Sequence, residues 1–469
     1  MVLSPFKLLR FFFYAPLIGI WLNGCGVKAP TTDSTYQNVL FIIVDDLKPT
    51  LGAYGDSLAI TPNIDKLASR GITFTNAHCN FAVCGPSRGS FLSGLRPETL
   101  GILDNVTPLQ PKLQGRPTLP KLFLQNGFET IGLGKTFHDK EPDHEDPAAW
   151  NAYYKYGSTE KGKQGLKVNP TDDQLPWCYW QAAEGDDEDQ ADGRIAQKAV
   201  ELLHEKRDQP FFLAVGFHKP HDPYVAPKKY FDWYTLEQCT PPVLPDQWQP
   251  AYKHSLPGWS KVFHETMTEK EQREFIRSYY ACVSFMDAQV GKLLDALEAT
   301  GQAENTLIVF MGDHGYHLGE HNWWNKVTVY EEGTNAPLIV AGNKIAEAGK
   351  TSNALVEFID LYPTFLDLMG ISEKPDHLEG ESFAQLLDNP NASFKEAVYA
   401  STLRGETTGR MVKTEEWRYI EWDEGVKGKE LYNQQNDPQE YVNLAEDPAH
   451  ASVVSELSLL LKNKGQKSE

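Results

Sequence analysis

Uninterrupted apolar runs punctuate this chain. Residues 38–44 (Asn-Val-Leu-Phe-Ile-Ile-Val), 211–216 (Phe-Phe-Leu-Ala-Val-Gly) and 306–311 (Thr-Leu-Ile-Val-Phe-Met) show no polar–apolar alternation. Such a run is a strand buried on both faces, as in a parallel sheet covered by helices. Shorter runs at 129–133 and 337–340 predict two more strands. Between them, the patterns predict helices over 62–68, with Pro62 at the start, 118–124, 195–206 and a long amphipathic one over 269–300. Strands alternating with helices predict an α/β, doubly wound core. Residues 140–190 read as loop-rich. The acidic stretch 186–189 reads as a solvated helix start favoured by the helix dipole; the alternative, a calcium site, has no EF-hand spacing.

The pattern changes near residue 390. Segments 397–402, 410–414 and 417–422 predict antiparallel strands, followed by Leu431-Tyr432 and a terminal helix over 451–462. The chain therefore divides into a main α/β domain, 38–390, and a smaller C-terminal α+β subdomain, 391–469, containing an antiparallel sheet. Polar groups collect just after the main-domain strands, at 45–46, 135–138, 218–221 and 313–314. Open parallel sheets bind ligands at that end.

Composition narrows the function. At 469 residues, 41% hydrophobic and 23% charged, the chain can bury a substantial core. The formal net charge of -20 argues against a nucleic-acid partner, which calls for a basic face. It does not forbid a small anionic substrate, because a few local cations outweigh the global field at short range. At the N-terminus, Lys7 and Arg10 precede an apolar run, 11–22, too short to span a bilayer. That layout predicts a secretory signal over 1–24 and an exported protein, periplasmic or at the cell surface. The run ends in Leu22-Asn23-Gly24-Cys25, which resembles a bacterial lipobox, with Asn23 where a small or aliphatic residue is usual. Cys25 is the expected lipidation site and membrane anchor, and 25–37 a polar linker. Cys79, Cys178, Cys239 and Cys282 allow three pairings, and the sequence selects none.

The most distinctive stretch is Cys84-Gly85-Pro86-Ser87-Arg88-Gly89-Ser90-Phe91-Leu92-Ser93-Gly94. A thiol stands where a helix is expected to open, in positive potential and beside free backbone N–H groups. Arg88 adds a planar cationic fork suited to an anion. The motif Cys-x-Pro-x-Arg, followed by Ser93-Gly94, resembles the signature of the type I sulfatases. Further stretches resemble the iduronate-2-sulfatase branch: 38–47, Gly134-Lys135-Thr136-Phe137-His138, 212–221 and Asp313-His314-Gly315-Tyr316-His317-Leu318-Gly319-Glu320-His321. His314 holds a position that is often Asn elsewhere in the family and His in that branch.

The resemblance implies an alkaline-phosphatase-like, mostly parallel sheet flanked by helices, and a sulfuric ester hydrolase. It implies that a maturation enzyme converts Cys84 to formylglycine. One hydroxyl of the hydrated aldehyde attacks sulfur; the other loses its proton, the diol collapses and sulfate leaves. Asp45, Asp46, Asp313 and His314, with residue 84, would hold one calcium ion; the oxygens of the three aspartates suit that hard cation. Arg88, Lys135 and Lys326 would polarise and grip the sulfate, His138 would assist the diol, and His218 would protonate the departing sugar oxygen. His221, His317, His321 and Trp324 are further candidates for substrate contact. The expected substrate is a sulfated oligo- or polysaccharide, either ulvan-type algal fragments or a uronate 2-sulfate. The rival activities are a phosphodiesterase or phosphonate hydrolase of the same superfamily, and a non-catalytic carbohydrate-binding lipoprotein.

Overall fold

The computed structural model describes residues 36–138 and 145–463. The expected signal segment, Cys25 and most of the linker lie outside the described residues.

An eight-stranded sheet forms the centre, in the order Lys350–Ser352, Gly71–Phe74, Leu338–Ala341, Thr306–Gly312, Asn38–Val44, Phe211–Phe217, Glu129–Gly134, Ala152–Tyr154. Asn38–Val44 pairs in parallel with Thr306–Gly312 on one side and Phe211–Phe217 on the other. Alternate residues of these three strands enter opposite cores. Leu40, Ile42, Val44, Leu213 and Val215 face the layer containing the long helix Glu269–Ala299 and the helix Ala191–His204. Val39, Phe41, Ile43, Phe212 and Val309 face the helices Cys84–Ser93, Leu119–Gln125 and Leu361–Leu368. Covering on both faces is why these strands carry no polar alternation. Leu338–Ala341 runs antiparallel to both its neighbours, so the sheet is mixed but mostly parallel.

The C-terminal strands Val398–Arg404, Thr407–Lys413, Trp417–Trp422 and Gly428–Asn433 form an antiparallel meander. One face packs on the terminal helix Ala451–Lys462 through Tyr419, Leu431, Val454 and Leu457. The other, through Ala400, Met411, Ile420 and Trp422, joins a core of the main body.

The loop-rich reading of 140–190 missed a small sheet. Gly165–Val168 pairs with Trp180–Ala183, which in turn pairs in parallel with the distant Tyr224–Pro227. Such short strands are held by partners remote in sequence, which local pattern does not reveal. The acidic stretch forms a turn with a reciprocal Asp186–Asp189 cap ahead of Ala191–His204. Asp187 is neutralised by Lys229 at 2.7 Å and Lys292 at 3.3 Å, which leaves no set of bare acids for a second calcium. Cys79, Cys178, Cys239 and Cys282 are buried free thiols. Among the described residues, no helix is long and apolar enough to cross a membrane.

Candidate active site

The C-terminal ends of Asn38–Val44, Glu129–Gly134, Phe211–Phe217 and Thr306–Gly312 converge on one buried cluster of charge. Asp45 and Asp46 follow the first strand. Asp46 takes φ 59°, a left-handed conformation that Asp tolerates better than most residues. Its N–H donates to Asp313 Oδ1 at 3.0 Å, and its carbonyl accepts from the Tyr279 hydroxyl at 2.8 Å. The strand ends approach closely enough that a Cβ at Gly216 would lie 2.0 Å from the Lys135 carbonyl, so only glycine fits there.

Cys84 is the first residue of the helix Cys84–Ser93, whose start has no side-chain cap. Its Sγ lies 3.1 Å from Lys326 Nζ, 3.3 Å from His314 Nε2 and 3.8 Å from Asp46 Oδ1. Burial, then the Asp45 charge, pushes the thiol pKa far up, so the unmodified Cys84 is a poor nucleophile. Ligand atoms of Asp45, Cys84, Asp313 and His314 lie within 4.8 Å of one another, as do those of Asp45, Asp46, Cys84 and His221. His314 Nδ1 bonds the Gly315 carbonyl at 2.9 Å. That fixes its proton on Nδ1 and leaves the Nε2 lone pair facing the cluster, the tautomer a ligand needs. Asp46 Oδ2 is buried and has no hydrogen-bond partner. Hard oxygens, an oriented imidazole and an orphaned carboxylate oxygen fit a divalent cation.

Three cations balance the three aspartates. Arg88 is wholly buried. Its Nε donates to Asp313 Oδ2 at 2.9 Å and its Nη2 to Asp45 Oδ1 at 3.2 Å, while Nη1 donates to the carbonyls of Lys135 and Thr136. The fork expected to grip an anion here ties together the ends of three strands and neutralises the carboxylates. Lys135 Nζ lies 2.5 Å from Asp45 Oδ2, and Lys326 Nζ 2.5 Å from Asp46 Oδ1. Burial alone would raise the Asp45 pKa, but Lys135, His221 and Arg88 hold it well below the usual range. Asp46 moves the other way: burial raises it, and Lys326 only partly offsets this. His138 is buried and lines a narrow crevice with Gly85, Asn105 and Phe137.

The loop after Phe211–Phe217 carries two histidines. His221 Nε2 is 3.7 Å from Asp46 Oδ2 and 3.9 Å from Asp45 Oδ2, and burial, then the Lys326 charge, pushes its pKa well down. His218 Nδ1 lies 3.0 Å from Asp192 Oδ1. Asp192 also accepts from the backbone N–H groups of His218, at 3.0 Å, and Lys219, at 2.8 Å. This carboxylate, in the first turn of Ala191–His204, orients His218 and was not found from the sequence. No local signal marks it: its partner stands 26 residues away.

Three expected substrate contacts are corrected. His317 is buried, with Nε2 2.7 Å from Thr328 Oγ1. His321 is buried, stacks on Tyr330 at 4.3 Å and meets the Glu440 carbonyl at 3.3 Å. Trp324 is buried against Phe275 and Gly319. All three have protein partners on their faces and belong to the core.

Comparison with known proteins agrees with this geometry. Residues 37–371 match the family described as Sulfatase, and 319–467 match the C-terminal region of N-sulphoglucosamine sulphohydrolase. A sulfatase from Formosa agariphila is 33% identical over 96% of this chain and 91% of its own. Human iduronate 2-sulfatase is 35% identical over 74% of this chain and 70% of its own. The solved structure of a 2-O GAG sulfatase superposes with a TM-score of 0.72 at 26% identity, covering 91% of each chain. The chain belongs to the sulfatase family, has its alkaline-phosphatase-like fold, and is a sulfuric ester hydrolase.

Proposed function

We propose that this enzyme removes a sulfate ester from a sugar of a sulfated oligosaccharide, either a uronate 2-sulfate or an ulvan-type algal fragment, with the uronate 2-sulfate preferred. In this reading residue 84 is matured from cysteine to formylglycine by a separate enzyme. Asp45, Asp46, Asp313 and His314 hold one calcium ion. The observation that carries the reading is the seat of Cys84: the first turn of a helix, against three aspartates, with Lys326 at 3.1 Å.

A hydrated formylglycine beside a divalent cation would supply an oxygen nucleophile and a Lewis acid that draws charge from the sulfate oxygens. The protein's own groups do the rest. Lys135 directly follows Glu129–Gly134 and Lys326 lies in the loop after Thr306–Gly312, and both ammoniums would hold oxygens of a sulfate seated over residue 84. Asp45, Asp46 and Asp313 cancel Arg88, Lys135 and Lys326 in charge; a bound dication would make the pocket net positive and able to hold an anion on a chain of formal charge -20. Arg88 fixes the carboxylates and the helix against one another. Asp192 accepts the Nδ1 proton of His218, which leaves Nε2 to carry a proton to the departing sugar oxygen.

The uronate preference is supported by the relatives named for iduronate 2-sulfate and 2-O GAG substrates. A panel of 2-O-sulfated uronate disaccharides, ulvan oligosaccharides, 6-O-sulfated hexosamines, an aryl sulfate and an aryl phosphodiester tests it. The expected result is kcat/KM highest on the sulfated uronates. A preference for the phosphodiester, or for the neutral hexosamine esters, would overturn it.

A further inference from the structure

Arg404 ends the C-terminal strand Val398–Arg404. This strand reaches the active site from another sheet. Ser401 N–H donates to the Asn80 carbonyl at 3.0 Å, and Ser401 bridges Phe81, so the strand lies along the segment leading into Cys84. Three residues later Arg404 Nη2 donates to the carbonyl of Val327, next to Lys326. Val327 has φ 75°, which a β-branched residue rarely adopts. Its N–H is tied to the Ala82 carbonyl at 3.0 Å. Arg404 therefore stands where the Cys84 and Lys326 loops meet.

Its charge has no carboxylate counterpart among the described residues. The other basic side chains buried in this sheet are paired: Lys413 with Glu331 at 2.7 Å, and Arg418 with Glu331 and with Glu440 at 2.5 Å. Arg404, half-buried, has no carboxylate within salt-bridge distance among the described residues; its Nη1 bonds only Thr402 Oγ1 at 2.7 Å and the Leu403 carbonyl at 3.3 Å. Its Nε is buried without an acceptor. Burial lowers its pKa to about 10, the sign of a cation that protein neighbours do not neutralise. His254 has a buried Nε2 with no hydrogen-bond partner; burial, then the Lys427 charge and after it that of Arg404, lowers its pKa. A guanidinium held beside the Lys326 loop with no carboxylate partner is costly unless something anionic completes it.

We infer that Arg404 is a specificity-determining residue, whose missing counter-ion is a second oxyanion of the substrate, a carboxylate or sulfate on the sugar bearing the scissile ester. The inference rests on the sugar sulfatase reading above. Carboxylates and sulfates accept paired N–H donors from arginine, and a charge-assisted bond of that kind discriminates strongly against a neutral analogue.

The test compares a 2-O-sulfated uronate disaccharide, its carboxyl-reduced form, a disulfated sugar without a carboxylate and an aryl sulfate, with wild type, Arg404→Gln and Arg404→Lys. The wild type is expected to prefer one of the first and third over the reduced form, which tells carboxylate from sulfate. Arg404→Gln should lower that preference by about tenfold, the effect of one charged hydrogen bond, and Arg404→Lys should keep part of it. An equal loss on all four substrates would overturn the inference and leave Arg404 as a brace for the Lys326 loop. An unchanged preference would overturn it as well. Turnover by the wild type of aryl sulfate but of none of the sugars would instead refute the sugar reading.

Discussion

In the proposed mechanism the Asp192–His218 pair sets the proton chemistry of this site. Asp192 fixes the imidazole tautomer and also anchors two backbone N–H groups of the loop. Asp192→Asn keeps the shape but offers one acceptor oxygen fewer and no charge. It should lower kcat on sugar sulfates by about 10²-fold, the lower range for general acid catalysis. The loss should shrink on a nitrophenyl sulfate, whose leaving group needs no proton. Equal losses on both substrates would show that Asp192 acts on the fold alone. At this scale the sequence was legible where the chemistry is contiguous. Cys84-Gly85-Pro86-Ser87-Arg88, Asp45-Asp46 and Asp313-His314 are short signatures, and the structure brings all of them together. Asp192 and Arg404 were invisible because each acts on a residue far along the chain. His317, His321 and Trp324 misled because residues next to a motif need not face the same way.

Among the elements, the segment after Thr306–Gly312 does two jobs. It delivers Asp313, His314 and Lys326 to the cluster, and through His321 it locks the segment after the C-terminal sheet to the main body. His321 sits among Tyr330, Trp248 and Tyr441 with its Nε2 on the Glu440 carbonyl. Burial lowers its pKa to about 4. The unfolded imidazole binds its proton near 6.5, so between those values the unfolded chain holds more protons than the folded one. Stability is therefore lost as pH falls from about 6.5 towards 4, by roughly 3 kcal/mol for a full shift of this size. His321 has φ 56°, and Asn accepts that conformation. His321→Asn should lower Tm at neutral pH and flatten its decline between pH 6.5 and 4. An unchanged slope would place the acid sensitivity elsewhere. The strands of the central sheet could be read from their unbroken apolar runs, and the long helix from its periodicity. The direction of Leu338–Ala341 and the small sheet around Trp180–Ala183 could not, because orientation and pairing of short strands are settled by tertiary partners.

The molecule as a whole is acidic, with a formal charge of -20, yet its site balances three buried carboxylates against three buried cations. That balance is local, held by the ends of parallel strands, and it lets an anion-processing centre sit in an acidic protein. Residue 84, as an aldehyde-derived oxygen, is proposed to carry the sulfuryl transfer. The most direct measurement is inorganic sulfate released per enzyme from a 2-O-sulfated uronate disaccharide. It uses protein co-produced with a formylglycine-generating enzyme, its residue-84 peptide checked by mass, alongside Cys84→Ala. Many turnovers by the matured protein and none by a normally folded Cys84→Ala are expected. Multiple turnover by Cys84→Ala, or no sulfate from a fully matured sample, would contradict it.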